Sequence, residues 1–579
     1  MSASQELRLA AVAALLGALW LFVSRPAPPP VAATAEADAI VSEFVYGSLA
    51  LSPVAATAAG YHRHGGVQLD EQLDDYSPAG LQQAREFASG LQQRIARLDR
   101  RQLDAEMQAD LDIVGHSLAL WLLDLDDIQA YRHNPTLYVE LIGNALYTPF
   151  VLEYDTLEAR YGHIIKRLQQ VPRLLAEART HLDDAPEVWN RVAREENAGT
   201  IDLIEHTLRE AAPAAQRAAY DAAATPALVA LRDFDAFLSG SLAAQRSDWR
   251  LGAERYAAKC SHVLVTGRTP GELLAAAEAD LQHIRAQMAS LAAPRSVEAV
   301  LAGIAAQHAT PATYMDEARR TLVEATGFVR TRDLLTLPAG GNLQVIETPP
   351  FMRGIYAVGG FNQAPALEPQ LGAFYWVTPI PADWPQPRID SKLREYNRFG
   401  LQHLTIHEAM PGHYVQLDYA NRVEPATRRV LRNLWGNGPY IEGWALYTQQ
   451  LMTDEGYLDG DPALRMTLYK QLLRSIANTI LDIRLQTMDM TEQQALDLMI
   501  NDTYQEKEEA TAKLQRAQLS SCQLAMYYAG WKGWLEVREQ YRQRHAADFS
   551  LKEFHEHALR ESAVPLTTLG RLLDNNPSR

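Results

Sequence analysis

The residues of this sequence with the clearest chemical potential are His407, Glu408 and His413, which lie in the stretch HEAMPGH. Neutral imidazoles are common ligands of catalytic zinc, and a neighbouring carboxylate can take a proton from a water that the metal activates. Zinc lowers the pKa of such a water to about 7. These residue types therefore predict a hydrolytic zinc site with Glu408 as the general base.

The spacing of the two histidines requires a break in the helix that carries them. Six helical steps of about 100° leave the second imidazole roughly 120° from the first, so a straight helix cannot aim both at one metal. Pro411 lacks an N–H and its ring clashes with the carbonyl of His407, while Gly412 permits a turn. We therefore expect His407 and Glu408 on a final regular turn, with His413 after the break.

His403 offers a competing arrangement of metal ligands. It lies four residues before His407 and would share its helix face without any distortion. Pro411 and Gly412 would then simply end the helix. Helix geometry alone leaves the two arrangements open.

A catalytic zinc also needs a third protein ligand, and the segment NGPYIEGWALY offers Glu442. Gly438-Pro439 is typical of a helix start, so Glu442 falls in an early turn. A carboxylate among apolar and aromatic residues is costly unless it is paired or bound to a metal. The alternative is an ordinary acidic residue that the helix dipole favours.

Together, HEAMPGH and EGWALY closely resemble the motifs of the bacterial "domain of unknown function 885" family, which are written HExxPGH and EGWALY. The resemblance is strongest over residues 351–534. It implies a mainly helical fold, a gluzincin-like active site, one zinc ion and metallopeptidase activity. It also implies His407, His413 and Glu442 as the metal ligands, with Glu408 as the base.

The resemblance extends to a C-terminal stretch in which Arg516, Gln523, Tyr527 and Gly530 fit the family pattern. Attack on an amide carbonyl builds an oxyanion, which a phenol or guanidinium group can stabilise. Tyr527 and Arg516 are therefore candidate catalytic residues.

The chain also departs from that pattern. Ser521-Cys522 stands where the family has Pro-Gly, Ala517 replaces a tyrosine, and Gln486 replaces a histidine. If that histidine contacts substrate in the relatives, these differences predict a different substrate or a weaker activity here.

The elements that position these residues are mostly helices. In three segments, apolar residues recur at steps of three or four, which predicts an apolar stripe along one face of a helix. The first stripe is Leu81, Ala84, Phe87, Leu91, Ile95 and Leu98, and the second is Leu274, Ala277, Leu281, Ile284, Met288 and Leu291. The third is Leu464, Leu468, Leu472, Ile476, Ile480 and Ile483. Asp461-Pro462 predicts a helix start, and Thr491 with Gln494 predicts a capping box.

A stretch rich in Gly, Pro and aromatic residues begins near residue 335 and predicts short strands at 343–348 and 373–378. Arg353, in this stretch, is a candidate for binding a substrate carboxylate. We expect a mainly α fold, with a large multi-helix body and a small β element upstream of the HExxPGH helix. The predicted division is an N-terminal segment (1–38), a helical scaffold (39–334) and a zinc-site catalytic region (335–579).

Composition narrows the class of protein. The chain has 579 residues, with 54 Lys and Arg against 71 Asp and Glu, a net charge of −17. Apolar residues make up 47% and charged residues 22%, which excludes a disordered tail, a collagen-like fibre and a polytopic membrane protein. The acidity argues against a nucleic-acid partner, because such binders usually carry a basic patch.

The N-terminus predicts export. The uncharged run LAAVAALLGALWLFVS spans 16 residues, or roughly 24 Å as a helix against a bilayer core of about 30 Å. It is similar to a secretory signal peptide, whereas the Pro-rich segment after it would suit an uncleaved membrane anchor. No Cys follows the run, so an N-terminal lipoprotein is not expected. We expect a periplasmic or other extracytoplasmic location.

The two cysteines, Cys260 and Cys522, exclude a Cys-rich zinc site and a disulfide-stapled scaffold. The simplest expectation is two buried thiols, and whether they pair stays open.

These observations favour an exported zinc metallopeptidase that acts on a peptide or another small amide. One alternative is zinc hydrolysis of a non-peptide amide or ester, which uses the same attack chemistry. Another is a non-catalytic binding or scaffold protein of the same fold. The substitutions at Ser521-Cys522 and Gln486 favour that last alternative, while the intact set of His407, Glu408, His413 and Glu442 argues against it.

Overall fold

The computed structural model describes residues 31–337, 343–348, 359–381 and 383–575. The N-terminal apolar run and Arg353 lie outside these ranges. Helices dominate the described chain, which confirms the mainly α prediction. They are α1 Val31–Leu51, α2 Pro53–Ala59, α3 Pro78–Arg97, α4 Ala105–Leu123, α5 Ala130–His133, α6 Thr136–Val151, α7 Leu157–Leu168, α8 Val171–His181, α9 Glu187–Asp202, α10 Arg209–Ala211, α11 Arg217–Ser239, α12 Gly252–Val263, α13 Pro270–Ala292, α14 Val297–Ala305, α15 Tyr314–Arg332, α16 Gln386–Glu395, α17 Arg398–Glu408, α18 His413–Ala420, α19 Ala426–Leu434, α20 Gly438–Asp454, α21 Pro462–Thr487, α22 Glu492–Asp497, α23 Lys507–Leu519, α24 Ala525–His545, α25 Leu551–Arg560 and α26 Leu566–Asn575.

The described residues also form short 3-10 and π-helical segments and two small sheets. An antiparallel pair joins β1 (Arg63–His64) to β2 (Val67–Gln68). The second sheet has the order β3-β5-β4, with β3 (Leu343–Glu347) parallel to β5 (Ala373–Val377) and β4 (Gly359–Asn362) antiparallel to β5. The strands predicted at 343–348 and 373–378 are confirmed, and this sheet lies just upstream of α17.

Local signals place several helix ends correctly. The Asp461 side chain accepts the amide of Ala463 at the start of α21, and Thr491 forms the predicted capping box with Gln494. All six apolar residues of the α21 stripe are buried. In α13 the stripe ends at Ala292, and Leu291 is exposed instead.

The buried apolar residues within the described ranges form two clusters. The smaller core joins α6, α7, α8, α9 and α11. The larger core joins helices from both ends of the chain, from α1 to α4 and from α12 to α26, together with the β3-β5-β4 sheet. Residues on both sides of the predicted boundary at 334/335 share this larger core, and the division of the chain stays a prediction.

Helix α1 begins at Val31, so it includes the last residues of the predicted N-terminal segment, and Ala37 is fully buried. Within the described ranges, no single helix is both long and apolar enough to cross a membrane.

Candidate metal centre

The helix that carries HEAMPGH is interrupted where the sequence predicts. Helix α17 ends at Glu408, Ala409 leaves the helical conformation with φ −125° and ψ −71°, and α18 begins at His413. The Gly412 amide donates to the carbonyl of Ile406 at 2.9 Å. The Trp444 indole N–H, from α20, donates to the carbonyl of Pro411, also at 2.9 Å.

Glycine is required at position 412 because backbone atoms of α17 approach it closely, and not because of its φ angle. A Cβ atom at this position would overlap the carbonyl oxygens of His407 and Ile406. Any side chain would therefore push α17 and α18 apart. The break depends on glycine as much as on proline.

The break brings three side chains together. His407 Nε2 and His413 Nε2 each lie 3.5 Å from Glu442 Oε2, and the two imidazole planes are nearly perpendicular at 83°. One donor atom from each residue lies within 4.8 Å of the others, and the described part of the chain contains no other such group of His, Cys, Asp or Glu. The side chains of His407, His413 and Glu442 are 15%, 11% and 19% exposed.

Two of the polar atoms in this cluster lack a hydrogen-bond partner among the described residues. Glu442 Oε2 and His413 Nδ1 are buried and make no hydrogen bond with the described residues. Burial raises the pKa of Glu442, but the two imidazoles outweigh it and hold that pKa far below its usual range. Burial lowers the pKa of His413, and Glu442 more than reverses this effect. Two imidazoles, one carboxylate and an open side match the donor set of a catalytic zinc site.

His403 faces away from this cluster. Its Nε2–H donates to the carbonyl of Leu464 at 3.1 Å, on α21. The imidazole is fully buried, and burial lowers its pKa to about 4. The competing arrangement of His403 with His407 is therefore not the one that the fold brings together.

Glu408 ends α17 beside the cluster and is partly buried. Its negative charge contributes to raising the pKa of His413, and that of Tyr375 on β5. Glu408 thus lies near the ligand set, at the side that the β3-β5-β4 sheet covers.

Tyr527 on α24 stacks its ring nearly parallel to that of His407, with centroids 6.3 Å apart. Burial and then the charge of Glu442 raise the pKa of Tyr527 to about 12, against a smaller opposite effect of Arg516. At neutral pH the phenol therefore keeps its proton and can donate it in a hydrogen bond.

Arg516 on α23 reaches the same place. Its Nη2 donates to Tyr527 Oη at 3.3 Å and to Gln523 Oε1 at 3.1 Å. The side chain is exposed to solvent. The structure therefore brings all six predicted site residues, together with Gln523, into one neighbourhood.

Two glycines set the distance between the helices that carry Glu442 and Tyr527. A Cβ on Gly443 of α20 would overlap the backbone of Gly530 on α24, and a Cβ on Gly530 would overlap the carbonyl of Pro439. The helices therefore cross with their backbones in contact. This crossing explains why glycine follows Glu442 and recurs three residues after Tyr527.

The segment before α24 is held by residues whose role the sequence did not reveal. The buried carboxylate of Asp482, on α21, accepts the amides of Cys522 and Ala525, both at 3.1 Å. These contacts supply acceptors at the start of α24, where Leu524 offers no capping side chain. A carboxylate whose backbone partners lie about forty residues away has no local sequence signal.

Cys260 and Cys522 form a disulfide bond. Both residues are buried, as expected, but the expectation that they are free thiols is wrong. Cys522 has a φ of 63°, in the left-handed region that favours glycine. This is the position at which the resembling family has glycine. The disulfide and the Asp482 carboxylate together hold a non-glycine residue in that conformation.

The Gln486 side chain also makes hydrogen bonds within the fold. Its Oε1 accepts the amide of Leu251 at 2.8 Å, and its Nε2 donates to the carbonyl of Ser520 at 3.2 Å. This glutamine thus ties α21 to the loop before α24. Tyr447, at the end of the EGWALY segment, is fully buried and hydrogen-bonded to His555.

A second histidine–carboxylate group, the Asp70 cluster, comprises His62, Asp70, His163 and Glu368. It lies where α7 meets the β1–β2 region and the loop between β4 and β5. Asp70 is fully buried and accepts from His62 Nδ1 at 2.9 Å, Thr57 Oγ1 at 2.7 Å and Gln68 Nε2 at 2.7 Å. Arg167 donates in turn to Thr57 Oγ1 at 2.6 Å.

Comparisons with known proteins give a family and a fold. Residues 53–573 match the model of a family described as a bacterial protein of unknown function, DUF885. No curated protein matches the sequence.

Two solved structures superpose on almost the whole chain. One is a candidate lipoprotein of unknown function from Shewanella oneidensis, with 26% identity and a TM-score of 0.78 over 92% of this chain and 98% of that chain. The other is a candidate lipoprotein from Colwellia psychrerythraea, with 18% identity and a TM-score of 0.75 over 93% and 99%. The second likeness concerns the fold alone.

Proposed function

This chain belongs to the DUF885 family of bacterial proteins of unknown function, and we propose that it is an exported zinc-dependent peptidase with a gluzincin-like active site. The observation that carries the proposal is the convergence of His407, His413 and Glu442 with a buried carboxylate oxygen that no described protein group satisfies. Three protein ligands and one open position are typical of catalytic rather than structural zinc.

A zinc ion held by these residues would supply a Lewis acid that polarises a carbonyl and lowers the pKa of a water. Glu408, beside the ligand set, would take the proton of the attacking water. The same carboxyl group can then deliver that proton to the leaving amine, so that one residue serves first as base and then as acid.

Tyr527 and Arg516 provide the electrostatic part of the proposal. Attack on the amide builds negative charge on the carbonyl oxygen, and a protonated phenol next to the ligands can donate to it. The raised pKa of Tyr527 keeps this donor protonated. Arg516 orients the phenol through its hydrogen bond to Tyr527 Oη and adds a positive charge.

Two observations support export. The sequence begins with an apolar run similar to a signal peptide or anchor, and Cys260 is bonded to Cys522. Disulfides form and persist in oxidising compartments and are rare in the cytosol.

The test joins metal analysis to hydrolysis of a mixed peptide library. The wild-type protein is expected to bind about one zinc per chain and to cleave peptides. The Glu408→Gln variant should keep the metal and lose activity by roughly 10²- to 10⁴-fold. Glu86→Gln, at an exposed position on α3, serves as the matched control and should behave as wild type.

Three outcomes would contradict the proposal in different ways. Unchanged hydrolysis after removal of zinc, or by the Glu408→Gln variant, would exclude the mechanism. Hydrolysis confined to non-peptide amides or esters would keep the metal centre but change the substrate. A purified protein that binds no stoichiometric zinc would favour a binding or scaffold role.

A further inference from the structure

The three candidate ligands lie on three different helices, so the ligand set depends on how these helices are held together. Glu442 lies on α20, whereas the two imidazoles lie on α17 and α18. Two side chains of α20 donate to main-chain carbonyls of the segment 398–413, which carries both imidazoles. The Trp444 indole N–H donates to Pro411 at 2.9 Å, and the Gln449 amide donates to His403 at 2.8 Å.

These two carbonyls lie in different kinds of backbone. His403 is within α17, where the hydrogen bonds of the helix itself fix the main chain. Pro411 is buried in the break between α17 and α18, after Ala409 has left the helical conformation. A buried carbonyl outside regular structure depends on a donor from elsewhere in the fold, and here the indole is such a donor.

The Trp444 indole is itself held in one orientation by the packing around it. The side chain is fully buried, and its ring lies 4.9 Å from that of Trp534, 5.5 Å from that of His555 and 5.6 Å from that of Tyr447, measured between centroids. Closely packed aromatic rings have little freedom to turn. The N–H is therefore aimed at the break before any metal binds.

The indole thus connects the helix of one ligand to the position of another. Trp444 follows Glu442 by two residues on α20, and Pro411 precedes His413 by two residues. A shift of the break would move His413 relative to Glu442, whereas His407 would stay on the regular part of α17.

We propose that Trp444 is a positioning residue of the metal centre, whose N–H holds the break at Pro411 so that His413 and Glu442 meet at one ion. Groups that orient the ligands of a metal change its affinity by about 10- to 100-fold when they are removed. This inference rests on the metal centre of the proposed function, and it does not depend on which bond is hydrolysed.

The experiment measures the zinc affinity of the full-length chain by competition with a chromogenic chelator. Trp444→Phe keeps an aromatic ring and removes the N–H. A second variant carries β-(3-benzothienyl)alanine at position 444, introduced at an amber codon; sulfur replaces the N–H and the size of the ring system is kept. Trp534→Phe is the matched control, because this indole is also fully buried and donates at 2.8 Å to a carbonyl, that of Tyr440 within α20.

Both Trp444 variants should bind zinc about 10- to 100-fold more weakly than wild type. Trp534→Phe should stay within about 3-fold, and so should Gln449→Met, which loses the bond to the regular part of α17. The visible absorption of the cobalt-loaded protein provides a second readout, because it depends on coordination geometry. The spectrum should change in the Trp444 variants and stay as in wild type in the two controls.

The outcomes that would overturn this inference differ from those that concern the function. Wild-type zinc affinity in the Trp444 variants, or an equal loss in Trp534→Phe, would exclude the positioning role and leave the proposed peptidase intact. If Trp444→Phe does not fold, the benzothienylalanine variant decides the point, since it preserves the packing. A wild-type chain that binds no stoichiometric zinc would exclude the metal centre and the positioning role together.

Discussion

The metal centre and the Asp70 cluster contain the same residue types and differ in the hydrogen bonds that their central carboxylates, Glu442 and Asp70, accept. Each combines two histidines with carboxylate groups from different parts of the chain. Asp70 is saturated by a hydroxyl, an amide and an imidazole, whereas Glu442 has only the two imidazoles at 3.5 Å. Residue type alone does not mark a metal site, and neither does an acceptor with too few donors, because Glu368 Oε2 of the Asp70 cluster is also buried without a hydrogen bond. Among the described residues, three donor atoms within 4.8 Å of one another occur only in the metal centre.

The difference predicts a different role for each cluster, one in stability and the other in metal binding. Breaking the hydrogen bonds of the buried Asp70 carboxylate leaves uncompensated charge, so the Asp70 cluster should matter for stability. An unsaturated cluster gains most from an added cation, so the metal centre should matter for binding. Exchanging equivalent atoms in the two regions therefore separates the two roles.

The largest effect is expected from Glu442→Gln. Loss of a residue that only supports a zinc ligand already costs about 10- to 100-fold in metal affinity, so loss of one of the three ligands should weaken zinc binding by roughly 100- to 1,000-fold. Competition with a chromogenic chelator measures this change. Asp70→Asn is the matched variant and should bind zinc within about 2-fold of wild type. Equal weakening in both variants would show that the two regions do not differ as stated.

Asp70→Asn should instead reduce the free energy of unfolding, by about 3 kcal/mol. The amide keeps the shape of the carboxylate but removes the charge that His62 and the buried Arg167 face. Urea unfolding of the zinc-free protein measures the change. Asp75→Asn, an exposed carboxylate near Arg173, provides the control and should cost less than about 1 kcal/mol.

The Asp70 cluster also predicts a pH window. Burial lowers the pKa of His62, but the carboxylates of Asp70 and Glu368 have a larger effect and raise this pKa above 6.5. Burial raises the pKa of Asp70, but the hydrogen bonds and charges of its partners have a larger effect and lower this pKa below 3.8. The His62 contribution is complete below pH 6.5 and lost as pH rises through its native pKa. The Asp70 contribution is complete above pH 3.8 and lost as pH falls.

The difference in unfolding free energy between wild type and Asp70→Asn should therefore be largest between these two values. Above the native pKa of His62 it should shrink, because the imidazolium that Asp70 faces is then lost. Urea titrations across this range measure it. A difference that grows with pH above 7 would mean that His62 is not the charged partner of Asp70.

The smallest effect is expected from His403→Gln, which tests the arrangement that helix spacing left open. Because His403 bonds the carbonyl of Leu464, its loss should cost about 1 kcal/mol of stability. Zinc affinity should stay within about 2-fold. The same chelator competition decides the point, since a drop comparable to that of Glu442→Gln would restore His403 as a ligand.

Much of the site's local geometry follows from neighbouring residues, and that part could be predicted. The break after Glu408 comes from Pro411 and Gly412, and the start of α20 comes from Gly438-Pro439. The two predicted strands are likewise set by their own β-branched and aromatic residues and by the Gly and Pro around them. These features need only a few residues of sequence.

The remaining features depend on residues that meet only in the folded chain. The choice between His403 and His413 needed the position of Leu464, and the disulfide joins residues 262 positions apart. The support of α24 by Asp482 also has no local signal, because its partners, Cys522 and Ala525, lie about forty residues further along the chain. These features depend on tertiary contacts, so helix periodicity and motif spacing could not predict them.

The contact between Gly443 and Gly530 has a consequence for how this protein can change over generations. A methyl group on either glycine meets main chain rather than a movable side chain, so no substitution at the other position can make room for it. The two positions therefore cannot drift through paired compensating replacements. Descendants that keep this helix crossing are therefore expected to inherit both glycines.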